Sequence, residues 1–92
     1  MKKHSKLFVW RKQIDAIDES LLSLLAKRVT VVKKIAAYKK KNGLPILDQK
    51  RWNTILDSQM KKAEFLGLQP TVIQKIWDTI HAYSQTIEEE NI

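Results

Sequence analysis

Apolar side chains recur near the start of the chain at alternating steps of three and four: Leu7, Trp10, Ile14, Ile17, Leu21, Leu24, then Arg28, then Val31, Ile35 and Tyr38. That spacing keeps every member on one face of a helix and marks the buried seam of a long one. Only Arg28 interrupts it. A guanidinium in an apolar seam has two readings: a polar residue that fixes register or snorkels to water, or a cation held there for an anion.

Breakers divide the rest. In "KNGLPILD" Pro45 stops helical continuation and Asp48 is placed to cap a new helix; in "LGLQPT" Gly67 is a C-terminal stop and Pro70 stands near the next start. The pattern predicts helices over about 6–41, 49–65 and 71–90, the last with an apolar stripe of Ile73, Ile76, Ile80, Tyr83 and Ile87. No strand-like alternation, repeat or low-complexity segment is present, so the fold class is all-α, a single domain over residues 1–92. A first helix of roughly 35 residues spans on the order of 50 Å, whereas a compact globule of this length has a radius of gyration of about 12 Å. Two short helices cannot cover it. The expectation is an intertwined homodimer in which a second copy supplies the missing surface.

Composition narrows the chemistry. With 29% charged and 43% hydrophobic residues the chain is an ordinary globular sequence. Without cysteine there is no disulfide or thiolate chemistry, and the isolated His4 and His81 give no metal-ligand cluster, so neither metal nor cofactor is expected. The start "MKKHSKLFVW" lacks an apolar core of signal length, and no run approaches about 18 uncharged apolar residues, which reads as a cytoplasmic protein without membrane attachment. A net charge of +7 favours an anionic partner, nucleic acid or a small polyanion.

Position favours the small polyanion. Lys39 follows Arg28 by eleven residues, close to three turns, so the two cations share a face with Cα atoms roughly 16 Å apart. Two long side chains reaching toward each other leave a gap suited to a small dicarboxylate. Arg11 precedes Arg28 by seventeen residues and lies about 100° round the helix from it. In an antiparallel dimer it could instead enter the partner's pocket. Arg51 stands one turn after Asp48, and Ser84 and Glu88 form an i, i+4 pair whose plain reading is a solvated helix flank.

Together "RKQIDAIDESLLSLLAKR", the helix reaching Lys39, "GLPILDQKR" and "IHAYSQTIEE" resemble the all-helical class of chorismate mutases, the AroQ class, over almost the whole chain. The resemblance implies that Arg11 binds a substrate carboxylate in trans, from the partner subunit. It implies that Arg28 and Arg51 hold carboxylates, that Lys39 binds a carboxylate and the ether oxygen, and that Asp48 meets the ring hydroxyl. Ser84 would assist at a carboxylate, and residue 88 would donate to the ether oxygen. Two positions depart from the commonest bacterial pattern: Glu88 stands where glutamine is frequent, and Trp52 where a glutamate helps hold the ring hydroxyl. Glu88 keeps the donor chemistry only when protonated, so activity is expected to rise as pH falls. Trp52 with Ile55 and Leu56 also reads as an ordinary apolar patch.

The implied reaction, chorismate to prephenate, is pericyclic and needs no nucleophile, metal or cofactor. Confinement of a flexible arm and donors aimed at the developing negative charge can accelerate it. Arginines suit the first task because they grip carboxylates bidentately and stay charged. Two alternatives stand beside this reading: an isochorismate pyruvate lyase of the same fold, which Trp52 keeps open, and a non-catalytic basic dimer binding nucleic acid through "VVKKIAAYKKK". Against the second, Arg28 lies in the apolar seam while Lys33, Lys34, Lys40 and Lys41 read as a solvated flank, so no nucleic acid is expected as partner.

Overall fold

The computed structural model describes residues 4–90 and has three helices: α1 (Ser5–Asn42), α2 (Gln49–Phe65) and α3 (Pro70–Glu90). No strand occurs among the described residues, and no helix is long and apolar enough to cross a membrane. The all-α expectation and the helix bounds hold to within a residue. The chain divides into two compact units, Met1–Val31 and Val32–Ile92, the division falling inside α1.

Both inter-helix breaks are made by glycine. Gly43 and Gly67 adopt φ of 64° and 75°, a region that costs other residues steric strain. After α1, Gly43 N–H donates to Lys40 O at 3.4 Å and Leu44 N–H to Lys39 O at 2.8 Å. After α2, Gly67 N–H donates to Glu64 O at 3.1 Å and Leu68 N–H to Ala63 O at 2.9 Å. Each is a Schellman closure, which satisfies carbonyls that a helix end leaves without partners. The first helix therefore ends at Gly43, ahead of the Pro45 that the sequence suggested as its stop. Asp48 caps α2 as expected, its Oδ1 accepting from Arg51 N–H at 3.0 Å.

In the Met1–Val31 unit no described residue is buried, and Arg28 and Val29 are half-buried. The predicted seam is exposed in the single chain: Ile17 at 55%, Leu21 at 54% and Leu24 at 59%. The reason is plain, since the described part of this unit is one helix with nothing else to cover it.

The Val32–Ile92 unit does bury a small core. Here α2 packs on α3, and Val32, Ala36, Ala63, Ile87 and Glu88 are buried. On α1 the covered positions are Val32 and Ala36, whereas the seam members Val31 and Ile35 remain exposed at 52% and 44%. Adjacent residues differ by about 100° round a helix, so α1 carries two apolar faces here, one covered by its own chain and one not. On α3 the covered face runs Ile73, Trp77, Ile80, Ser84, Ile87, again in steps of four and three. Ile76 and Tyr83 of the predicted stripe fall outside it and are exposed.

Candidate active site

Lys39 lies in the last turn of α1, where Lys39, Lys40 and Lys41 complement the partial negative charge of the helix C-terminus. The glycine turn that follows brings the chain back, so that Lys39 Nζ donates to Ile46 O at 2.6 Å. The same ammonium donates to Glu88 Oε1 at 3.1 Å. Glu88 is 8% exposed, the single buried charged residue among those described. A carboxylate so placed needs a charged or hydrogen-bonding partner to offset lost hydration, and Lys39 supplies one.

The pair borders a cavity of about 320 Å³ lined by Ala36, Lys39, Lys40, Gly43, Leu44, Ile46 and Glu88. That volume is at the small end of ligand pockets. Apolar walls come from Ala36, Leu44 and Ile46, and the polar groups converge from Lys39 and Glu88. Such a chamber can hold a compact organic anion with an ammonium and a carboxyl group against one of its atoms.

Ser84 stands one turn before Glu88 on α3, half-buried, with Oγ donating to Ile80 O at 3.0 Å. Asp48 and Arg51 occupy the cap and first turn of α2 and are exposed. The next residue, Trp52, stacks on His81 of α3 with ring centroids 3.9 Å apart and planes at 15°. In the Val32–Ile92 unit the chain thus joins Lys39 directly to Glu88, with Ser84 on the same helix, and carries Asp48 and Arg51 at the α2 N-terminus. Arg11 and Arg28 belong to the Met1–Val31 unit, where Arg11 is exposed and Arg28 half-buried.

Three features escaped the sequence. The Ile46 carbonyl is a backbone partner of Lys39, for which side-chain spacing gives no signal. Gly43 and Leu44 line the cavity, and the "NGLP" turn was readable only as a break. His81 read as an isolated histidine, though its place three residues before Ser84 puts it on the same helix face. Among the described residues no three His, Asp or Glu side chains gather as a metal ion would need.

The model of the family described as chorismate mutase type II matches residues 10–89. The chain belongs to the chorismate mutase type II family. Its relatives include a T-protein of Enterobacter agglomerans, 37% identical over 86 residues, which covers 94% of this chain and 23% of the T-protein. A monofunctional chorismate mutase from the same organism is 35% identical over 69 residues, covering 75% of this chain and 38% of that protein. The chorismate mutase of Methanocaldococcus jannaschii is 29% identical over 85 residues, covering 92% of this chain and 86% of the archaeal one. The chain therefore spans about a quarter of the T-protein's length and nearly all of a chorismate mutase such as the archaeal one.

Proposed function

We propose that this chain is a chorismate mutase, converting chorismate to prephenate without metal or cofactor, and that residues 1–92 work as one catalytic domain in the cytoplasm. The observation that carries the reading is the Lys39–Glu88 pair, 3.1 Å apart at the wall of a partly open pocket, in a chain of this family.

The reaction breaks the ether C–O bond as a new C–C bond forms, with negative charge building on the ether oxygen. Lys39 Nζ donates to that oxygen. Glu88 donates to the same oxygen in place of its contact with Lys39, a role open only to the protonated acid, since an ionised carboxylate only accepts. Arg28 and Arg51 grip the two carboxylates, Ser84 assists at one of them, and Asp48 accepts from the ring hydroxyl. Holding the enolpyruvyl arm in a chair-like pose supplies the entropic part of the acceleration, and Lys39 with Glu88 the electrostatic part.

The assembly is a two-fold dimer in which a second copy covers the exposed α1 stripe and Arg11 of each subunit enters the other's pocket. Support comes from the Met1–Val31 unit, which has no buried residue among those described while exposing Trp10, Ile14, Ile17, Leu21 and Leu24 at 54–59%. Contiguous apolar surface of that extent marks an interface. The lyase alternative drew on Trp52, and a tryptophan ring stacked on His81 is accounted for by packing.

The test is loss of the ultraviolet absorbance of chorismate on adding purified protein, with prephenate identified as product. Turnover of isochorismate to pyruvate and salicylate, with chorismate untouched, would replace the mutase by the lyase. A folded dimer inert toward both removes the catalytic reading altogether.

A further inference from the structure

The Trp52–His81 stack joins the first turn of α2 to α3, and the proposed chemistry makes no use of it. We infer that it is a positioning strut, which holds Asp48 and Arg51 in register with the α3 face bearing Ser84 and Glu88 and thereby sets how tightly a dianionic substrate binds. The inference rests on the mutase reading for its substrate and on the coordinates for its geometry.

On the α2 side the ring is tied to the cap. Arg51 N–H donates to Asp48 Oδ1 at 3.0 Å and Trp52 N–H to Asp48 O at 3.0 Å. Asp48, Arg51 and the indole therefore move as one hydrogen-bonded turn. On the α3 side His81, Ser84 and Glu88 lie at spacings of three and four along one face. His81 is seven residues from Glu88, on the order of 10 Å along the helix axis. The stack thus anchors the α2 N-terminus about two helical turns from Glu88 along α3, on the face that carries Ser84. Neither ring bears a carboxylate, so the strut adds no repulsion beside the dianion.

Both rings are half-buried rather than buried. The first turn of a helix lacks part of its hydrogen bonding and frays readily, and here the Asp48 cap and the stack together oppose fraying. Its loss should loosen Arg51 more than it loosens the fold. A strut of this kind acts on substrate affinity and leaves the bond-rearranging step, at Lys39 and Glu88, nearly unchanged.

The experiment compares Trp52→Ala, His81→Ala, their double variant, and Trp52→Phe and His81→Phe in the full-length chain. Steady-state kinetics on chorismate are paired with amide hydrogen exchange at Arg51 without substrate. Each alanine variant is expected to raise KM about two- to tenfold, the range an aromatic pair provides, with kcat held within about twofold. The double variant should rise no further than the larger single, because both remove one contact. The phenylalanine variants should restore KM, and exchange at Arg51 should quicken in both alanine variants. A fall in kcat at constant KM, a multiplicative rise in the double variant, or unchanged KM overturns the strut. Should Trp52→Ala fail to fold, His81→Ala carries both readouts alone. Should the wild type leave chorismate untouched, the mutase reading falls, and the exchange at Arg51 then decides: if it is unchanged in the alanine variants, the strut falls too.

Discussion

Removing the Lys39 ammonium while keeping Glu88 should destabilise the chain more than removing both charges. Glu88 is 8% exposed and pairs with Lys39 at 3.1 Å, with side-chain exposures of 19% for the lysine and 10% for the glutamate. Breaking a fully buried ion pair from one side costs about 3–5 kcal/mol. This pair keeps some contact with water, which screens the charge left behind, so about 2–3 kcal/mol is expected for Lys39→Ala. Part of that is the bond to Ile46 O at 2.6 Å, which pins the connection between α1 and α2. Glu88→Gln is milder, about 1 kcal/mol, since the amide oxygen still accepts from Lys39, whose ammonium keeps its bond to Ile46 O and part of its contact with water. In Lys39→Ala with Glu88→Gln the buried group is neutral, and the double variant should fall short of the sum of the singles by about 1–2 kcal/mol. Urea unfolding of the four proteins at one protomer concentration measures this, through the midpoint at constant m-value. Additivity to within about 0.5 kcal/mol would mean that the ion pair seen here does not couple in solution.

Four further outcomes follow from the same geometry. Glu88→Gln should keep or raise turnover at neutral pH, because an amide donates whatever the pH; a folded but inactive variant removes Glu88 from the ether-oxygen role. Leu21→Glu places a charge in the α1 stripe at a side chain 54% exposed in the single chain, and should abolish the dimer in sedimentation; a variant still dimeric at micromolar concentration means that the stripe is not the interface. Mixing Arg11→Ala with Arg28→Ala subunits, each inactive alone, should restore one intact site per heterodimer, and no recovery after confirmed subunit exchange shows that Arg11 does not act in trans. Gly43→Ala meets no atom within 4 Å, so its penalty is the backbone strain of φ +64°, about 1–2 kcal/mol in thermal unfolding; a neutral effect would mean that the turn relaxes.

The helices were legible because their signals are local: apolar spacing, an Asp cap, two glycines and two prolines within short windows. Which face each helix covers was less legible, and α1 shows why. A 3-4 stripe reports that a face is apolar and cannot report what covers it. Val31 and Ile35 continue the long stripe, while Val32 and Ala36, one residue on, are the positions buried by their own chain. The shift on α3 from Ile76 and Tyr83 to Trp77 and Ser84 has the same origin, because a helix with apolar side chains on neighbouring faces is oriented by its partner and not by its own periodicity. The site divides along the same line. Lys39 and Glu88 lie 49 residues apart, and no local pattern pairs them; family resemblance named both, and the fold joins them at 3.1 Å. The Ile46 carbonyl and the Trp52–His81 stack have no counterpart in side-chain spacing, since one is a backbone group and the other a contact between two helices. Chemistry that depends on residue type can be read along the chain, whereas chemistry that depends on which helix faces meet becomes visible only once the turns at Gly43 and Gly67 have folded the helices back.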